Sequence, residues 1–287
     1  MLGRLRGEGW GHAIRVLAPL GALIVEGWPA CIGALLVQEG GLWLASRLAD
    51  ACHRTFRRRL FLAAYGLRVA IVLPTHYIAK LSDGNGALFS DDYTNDLVGE
   101  WLGRIARGEG IAIFPGHQHL LDSIYTYFLM GVYALFGYTP VLPKLVNSGL
   151  AALSAVIVFD LARRTFRLPA AILAAIGAAV LPTMIVWSVA SLKETLVLFV
   201  TLLALRMVQF LIEAPARSPR IGDALVALVA LLALLLDLRS TSVAILVGVL
   251  LIVWAVRSHV PPRVRSDRKS TRLNSSHIPL SRMPSSA

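Results

Sequence analysis

Long apolar blocks separated by short clusters of arginine set the pattern of this chain. Residues 60–79, 145–162, 168–189, 192–212, 224–236 and 243–256 are apolar over most of their length. A helix needs about 20 residues to cross a bilayer. Blocks of this kind predict an all-α fold, a polytopic transmembrane helix bundle. Two further stretches fit less simply. Residues 16–37 are long enough to cross but contain Pro19, Glu26 and Pro29, which predicts a broken span or a helical hairpin. Residues 120–138 are apolar enough to cross, yet counting them as a span reverses the sidedness of everything that follows. They read as a re-entrant or interfacial helix packed within the bundle.

The arginines orient the blocks. Arg54, Arg57, Arg58 and Arg59 precede the first strong span, Arg163, Arg164 and Arg167 follow the next, Arg217 and Arg220 follow the fourth, and Arg257, Arg263 and Arg265 close the last. Threading the spans back and forth puts every one of these clusters on one side, which the positive-inside rule makes cytoplasmic. Residues 81–119 then form an outer loop in which Asp83, Asp91, Asp92, Asp96, Glu100 and Glu109 outnumber Arg104 and Arg107. Within that loop Leu97, Trp101 and Ile105 recur at helical spacing beside Val98 and Leu102, opposite Asp96, Glu100, Arg104 and Arg107. The pattern predicts an amphipathic helix on the outer membrane surface that ends at Gly108 and Gly110.

Composition agrees with this picture: 56% of residues are hydrophobic and only 16% charged, where a soluble chain carries roughly a quarter charged residues. The tail changes how the net charge is read. From Asp267 the chain reads DRKSTRLNSSHIPLSRMPSSA, whose first part resembles a translated sequencing-adapter read. Residues 267–287 are therefore set aside as a non-biological tail, leaving residues 1–266 as one polytopic membrane domain that is expected to be truncated near Ser266. Without Asp267, Arg268, Lys269, Arg272 and Arg282 the formal charge falls from +11 by 3 to +8. The remaining excess sits in the arginine clusters, which read as membrane anchors and not as a nucleic-acid surface. Cys31 and Cys52 have neither CxxC nor metal-site spacing and read as small buried hydrophobes.

The sharpest chemical feature is Ser90-Asp91-Asp92-Tyr93, at the start of the amphipathic helix. Two acids at a membrane surface would accept a proton from an attacking group or hold a divalent metal against a phosphate; the plain alternative is a pair of solvated helix-capping acids. Lys193 and Glu194 stand at the outer end of two apolar blocks, either at a functional site or snorkelling into headgroups. Asp237 and Arg239 hold a similar position and are expected to pair with each other. His117 and His119 have H-x-H spacing without a third ligand nearby, which favours polar loop histidines over a metal site.

The order of these features resembles a family. The acidic pair leads into DDYTNDLVGEWLGRIARGEG, followed by HLLDSIYTYFLMGVYALFG, then KLVNSGLAALSAVIVFDLARRTF and AAILAAIGAAVLPTMIVWSVASLKETLVLF. This succession, over residues 60–212, resembles the amino-terminal half of GT-C type glycosyltransferases, in particular the bacterial relatives of protein mannosyltransferases and of aminoarabinose transferases. The resemblance implies a multi-pass enzyme of the cell inner (plasma) membrane whose outer side moves a sugar from a polyprenyl-phosphate donor to a lipid, glycan or protein acceptor, in an inverting-type attack. It implies that the first-loop acid, Asp92 or Asp91, is the catalytic base or orients the acceptor, and that Glu194 is the second-loop acid. Lys193 and Arg239 would then steady the donor phosphate. A divalent metal, if one is used, would fall to Asp92 and Glu194. Where protein mannosyltransferases carry His-Pro-Pro-Leu, this chain has His119-Leu120-Leu121 ahead of Phe136-Gly137, so His119 marks the matching loop without its prolines.

Three other classes compete. A transporter or lipid-linked oligosaccharide flippase places ionisable groups near the bilayer midplane on broken helices, and the blocks after Leu145 carry little mid-span charge. A membrane polysaccharide polymerase is expected to carry its large outer loop later in the chain. A structural anchor needs none of these polar groups.

Overall fold

The computed structural model describes residues 2–48, 53–109, 123–213 and 220–259. These are helical, with no strand among them: α1 (Leu2–Glu26), α2 (Trp28–Arg47), α3 (Arg54–Asp83), α4 (Ser90–Ala106), α5 (Ile124–Phe136), α6 (Val141–Thr165), α7 (Leu168–Val180), α8 (Pro182–Ser188), α9 (Glu194–Glu213) and α10 (Arg220–His259). The chain divides into two compact units, Met1–Ser242 and Val243–Ala287. In the second, the described residues are the last part of α10.

Among the described residues four helices are long and apolar enough to cross a membrane: Arg54–Ser82, Val141–Thr165, Glu194–Glu213 and Arg220–Ala244. A fifth crossing is made if α7 and α8 count as one span bent by 49°. The bend falls where Pro182 lacks an N–H and pushes Leu181 out of the helical region, to ψ 122°. α5 has 13 residues, about 20 Å of helix against roughly 30 Å of hydrocarbon. That length fits the re-entrant or interfacial reading of residues 120–138, of which 120–122 lie outside the described residues.

The first helices form a hairpin. Gly27 takes φ 80°, a backbone that only glycine adopts cheaply, and the chain reverses there. Arg15 and Glu39, equally far from Gly27, meet in a two-pronged ion pair with Nε–Oε1 at 3.0 Å and Nη2–Oε2 at 2.5 Å. Buried alanines 18, 22, 30 and 34 contribute small side chains to the core shared by this hairpin, α3 and α6.

α6 is the spine, buried along most of its length and packed on α2, α3, α7 and α9. Its far end is tied by charge and aromatic contacts. Phe159 packs on Phe56 at the start of α3, with ring centroids 4.7 Å apart and tilted by 47°, Asp160 accepts from Arg206 at 3.0 Å, and Arg164 reaches Glu213 at 2.5 Å. The arginine-rich start of α3 and the ends of α6 and α9 therefore share one end of the bundle. Against the protein-facing spine, α9 and α10 leave large apolar side chains outward, with Val226 and Val229 71% and 65% exposed. Surfaces of this kind suit lipid better than water.

α10 is two helices that meet at a kink at Arg239, where the backbone leaves helix geometry with φ −166° and ψ 94°, between the apolar blocks 224–236 and 243–256. One expectation changes. The amphipathic helix of the outer loop forms as α4 and ends at Ala106, but its buried face is not the expected one. Asp92, Asp96, Val98, Gly99 and Gly103 are buried, whereas Leu97 and Trp101 are only partly covered and Ile105 is exposed. The reason is α5, which packs along Gly99 and Gly103: a Cβ at Gly99 would stand 2.6 Å from Cβ of Leu129, so only glycine permits this approach. The tail 267–287, His117, His119, Cys52 and Gly110 lie outside the described residues.

Candidate functional site

The start of α4 carries the acids. In a helix, residues 92 and 96 share a face while residue 91 points about 100° away. Asp91 is accordingly exposed and Asp92 and Asp96 are buried. The picture of two solvated acids therefore holds for Asp91 alone.

Asp92 is surrounded by donors. Its Oδ2 accepts from the Leu88 backbone N–H at 2.9 Å and lies 3.2 Å from Lys144 Nζ. Its Oδ1 accepts from the Ser191 backbone N–H at 2.8 Å. One carboxylate thus joins the loop before α4, the first turns of α6 and the turn before α9. Lys144, fully buried, also donates to the Gly86 carbonyl at 2.6 Å. The same carbonyl faces His76 Nδ1 at 3.1 Å.

Asp96 lies one turn further. Tyr133 donates to its Oδ1 at 2.6 Å and Ser191 Oγ to its Oδ2 at 3.4 Å. Two buried carboxylates stand against one ammonium, so the second charge has no partner and the site favours keeping a proton. Burial, and then the neighbouring Asp92 charge, push the Asp96 carboxyl up from its ordinary 3.8 to about 7, against the pull of Tyr133, Lys144 and Ser191. The folded chain thus holds a proton that the unfolded chain has released. The associated stability is fully present below the ordinary carboxylate value and is lost as pH rises through about 7. Asp96→Asn is expected to remove this slope. Unfolding midpoints in detergent from about pH 4 to about pH 8 should show the wild-type midpoint falling relative to the variant's. A constant difference would show that Asp96 does not titrate there.

The turn between α8 and α9 is held from below. Asn147 Nδ2 donates to the carbonyls of Ala190 at 2.8 Å and Leu192 at 3.1 Å, Ser148 to that of Ser188 at 3.3 Å, and Asn95 to that of Ser191 at 3.4 Å. Lys193 and Glu194 follow directly and are partly exposed. Glu194 Oε1 lies 3.9 Å from Arg239 Nη1. Asp237 and Arg239 do not pair with each other; Asp237 Oδ2 instead accepts from the Ile124 backbone N–H at 2.8 Å, at the start of α5.

Asp91, Asp92, Lys193, Glu194 and Arg239 therefore gather at one end of the first unit, opposite the arginine-rich start of α3 and end of α6. Among the described residues no group of three or more His, Cys, Asp and Glu side chains is placed to hold a metal. The coordinating oxygens of Asp92 are already taken by two N–H groups and an ammonium, so Asp92 does not fit the ligand role expected with Glu194. The sequence reading missed Lys144, Ser191, Tyr133 and Asn147, and it placed Asp96 on the outward side. The available signal was the i, i+4 spacing of Asp92 and Asp96 ahead of the small residues Gly99 and Gly103, a stripe suited to close packing. No protein-family model, curated protein or solved structure matches this chain.

Proposed function

We propose that this chain is part of a membrane-embedded glycosyltransferase of the GT-C type, which moves a sugar from a polyprenyl-phosphate donor to an acceptor on the extracytoplasmic side of the plasma membrane. The observation that carries this reading is the buried Asp92–Lys144 tie, which fixes the turn bearing the exposed Asp91 beside the turn leading to Lys193 and Glu194. A rigid support under exposed polar groups is what positioned acid–base chemistry requires. In the proposed step an acceptor hydroxyl attacks the anomeric carbon and its proton passes to Asp91. The bond from that carbon to the phosphate oxygen breaks, and polyprenyl phosphate leaves with the electron pair. Lys193 and Arg239 offset the charge of the leaving phosphate. Asp92, enclosed and saturated with donors, is a positioning residue in this scheme. Any role of His119 falls outside the described residues, and a metal, if used, would need ligands other than Asp92.

One observation favours a second reading, a transporter or flippase of lipid-linked sugars. Arg68 is fully buried midway along α3, where it donates to Ser188 Oγ at 3.0 Å and to the Ala64 carbonyl at 2.9 Å. It lines a cavity of about 180 Å³ with Ser154 and Leu181, beside the bend between α7 and α8. An ionisable group at mid-span against a broken helix is the arrangement transporters use. Sealed vesicles containing the chain and a labelled polyprenyl-phosphate sugar separate the two. The transferase reading expects one lipid phosphate released per sugar transferred to acceptor, and movement of intact donor across the bilayer without release would replace it.

The proposed orientation has its own test. In a chain with Cys31 and Cys52 replaced by serine, Ser90→Cys is expected to react with an impermeant thiol reagent on intact cells, and Thr165→Cys only after lysis; both sites are exposed on the protein. Equal labelling of the two on intact cells would contradict the sidedness.

A further inference from the structure

At the arginine-rich end, α1 and α3 run side by side in the same direction. Gly11 lies against Leu62, Ile14 against Gly66 and Gly21 against Leu73. Two cavities follow this seam. The first, of about 240 Å³, is lined by Trp10, His12, Arg15, Thr55, Arg58 and Arg59. The second, of about 200 Å³, begins one turn further along both helices and is apolar, with Leu17, Gly66, Ala70 and Leu73 in its walls. A basic pocket and an apolar groove thus follow one another along the same two helices.

The charges in the pocket are not all compensated. Arg15 is neutralised by Glu39, but among the described residues Arg58 and Arg59 have no carboxylate partner. They also sit near the amino-terminal end of a 30-residue helix whose first turn holds no acid, where the helix dipole adds to the positive potential and an anion is favoured. Trp10, 37% exposed, is the residue type that settles at headgroup depth. The side of α1 beyond the pocket exposes Val16, Leu17 and Leu20, a surface for acyl chains and not for a soluble anion.

We infer that this seam is a binding site for one anionic phospholipid, with the headgroup phosphate between Arg58 and Arg59 and an acyl chain along the groove past Ala70. The site lies at the opposite end of the bundle from Asp91 and Asp92, and it does not rest on the glycosyl-transfer reading. Arginine presents paired N–H donors that match phosphate oxygens, and the groove removes part of one chain from the disordered bilayer. Both halves are needed to favour a lipid over free phosphate.

Native mass spectrometry of the purified chain in detergent, titrated with phosphatidylglycerol, phosphatidylcholine or inorganic phosphate, tests this. Phosphatidylglycerol is expected to give a single retained adduct, phosphatidylcholine a much weaker one, and phosphate to compete poorly. The Arg58→Gln/Arg59→Gln chain should bind phosphatidylglycerol about tenfold more weakly, the loss expected for two charge-assisted contacts. Ala70→Trp, at an exposed position in the groove, should weaken it while leaving every charge in place. Arg163→Gln, at the same end but outside the pocket, should have no effect. Equal binding of the two lipids, ready displacement by phosphate, an unaffected Ala70→Trp chain, or equal losses from Arg163→Gln and the double variant would each overturn the assignment.

Discussion

Replacing Lys144 by methionine is expected to destabilise the chain by about 3–5 kcal/mol, the usual cost of stranding one partner of a buried ion pair. Asp92 and Lys144 are both fully buried and 3.2 Å apart. Without the ammonium, Asp92 keeps only the N–H groups of Leu88 and Ser191, and the Gly86 carbonyl loses a donor. The carboxylate must then take up a proton or leave the site, and either loosens the start of α4. The double change Asp92→Asn/Lys144→Met should recover most of the loss, because no charge is then buried and the asparagine oxygen still accepts an N–H. Thermal unfolding in detergent gives the comparison. A Lys144→Met midpoint equal to wild type would mean that the pair does not hold α4 in place.

Much of this architecture was legible because the bilayer length rule is simple. The apolar blocks at 145–162 and 192–212 became α6 and α9, and Pro19, Glu26 and Pro29 marked a stretch that the structure breaks at Gly27. The start of α4 at Ser90 was legible from the acids that precede its apolar residues. Its packed face was not. In water the apolar stripe turns inward, but a helix at a membrane has two partners, lipid and protein, and polar groups seek the protein side. Asp92 and Asp96 therefore went inward with Gly99 and Gly103, while Ile105 stayed out.

Lys144 escaped notice for a related reason. It stands just before an apolar block, and in the fold it neutralises an acid 52 positions earlier in the chain. Such pairings depend on which helices become neighbours, and hydropathy carries no record of that. Arg239 shows the converse case, since the charges between the apolar blocks 224–236 and 243–256 mark the place where α10 is kinked.

The split between Asp91 and Asp92 bears most directly on function. The exposed Asp91 is the proposed base, and the asparagine at this position keeps its shape but cannot take a proton. Asp91→Asn should therefore lower sugar transfer by about 100- to 10,000-fold, the usual worth of a general base, with the unfolding midpoint unchanged. Asp92→Asn should instead lower the midpoint, because it leaves Lys144 buried opposite a neutral amide. Its transfer rate per folded molecule should fall less. The decisive measurement is the rate of sugar transfer from a polyprenyl-phosphate donor by membranes holding equal amounts of folded wild-type, Asp91→Asn and Asp92→Asn chains. The account predicts near-complete loss in the Asp91 variant and a partial loss in the Asp92 variant. Transfer at the wild-type rate in the Asp91 variant would contradict it.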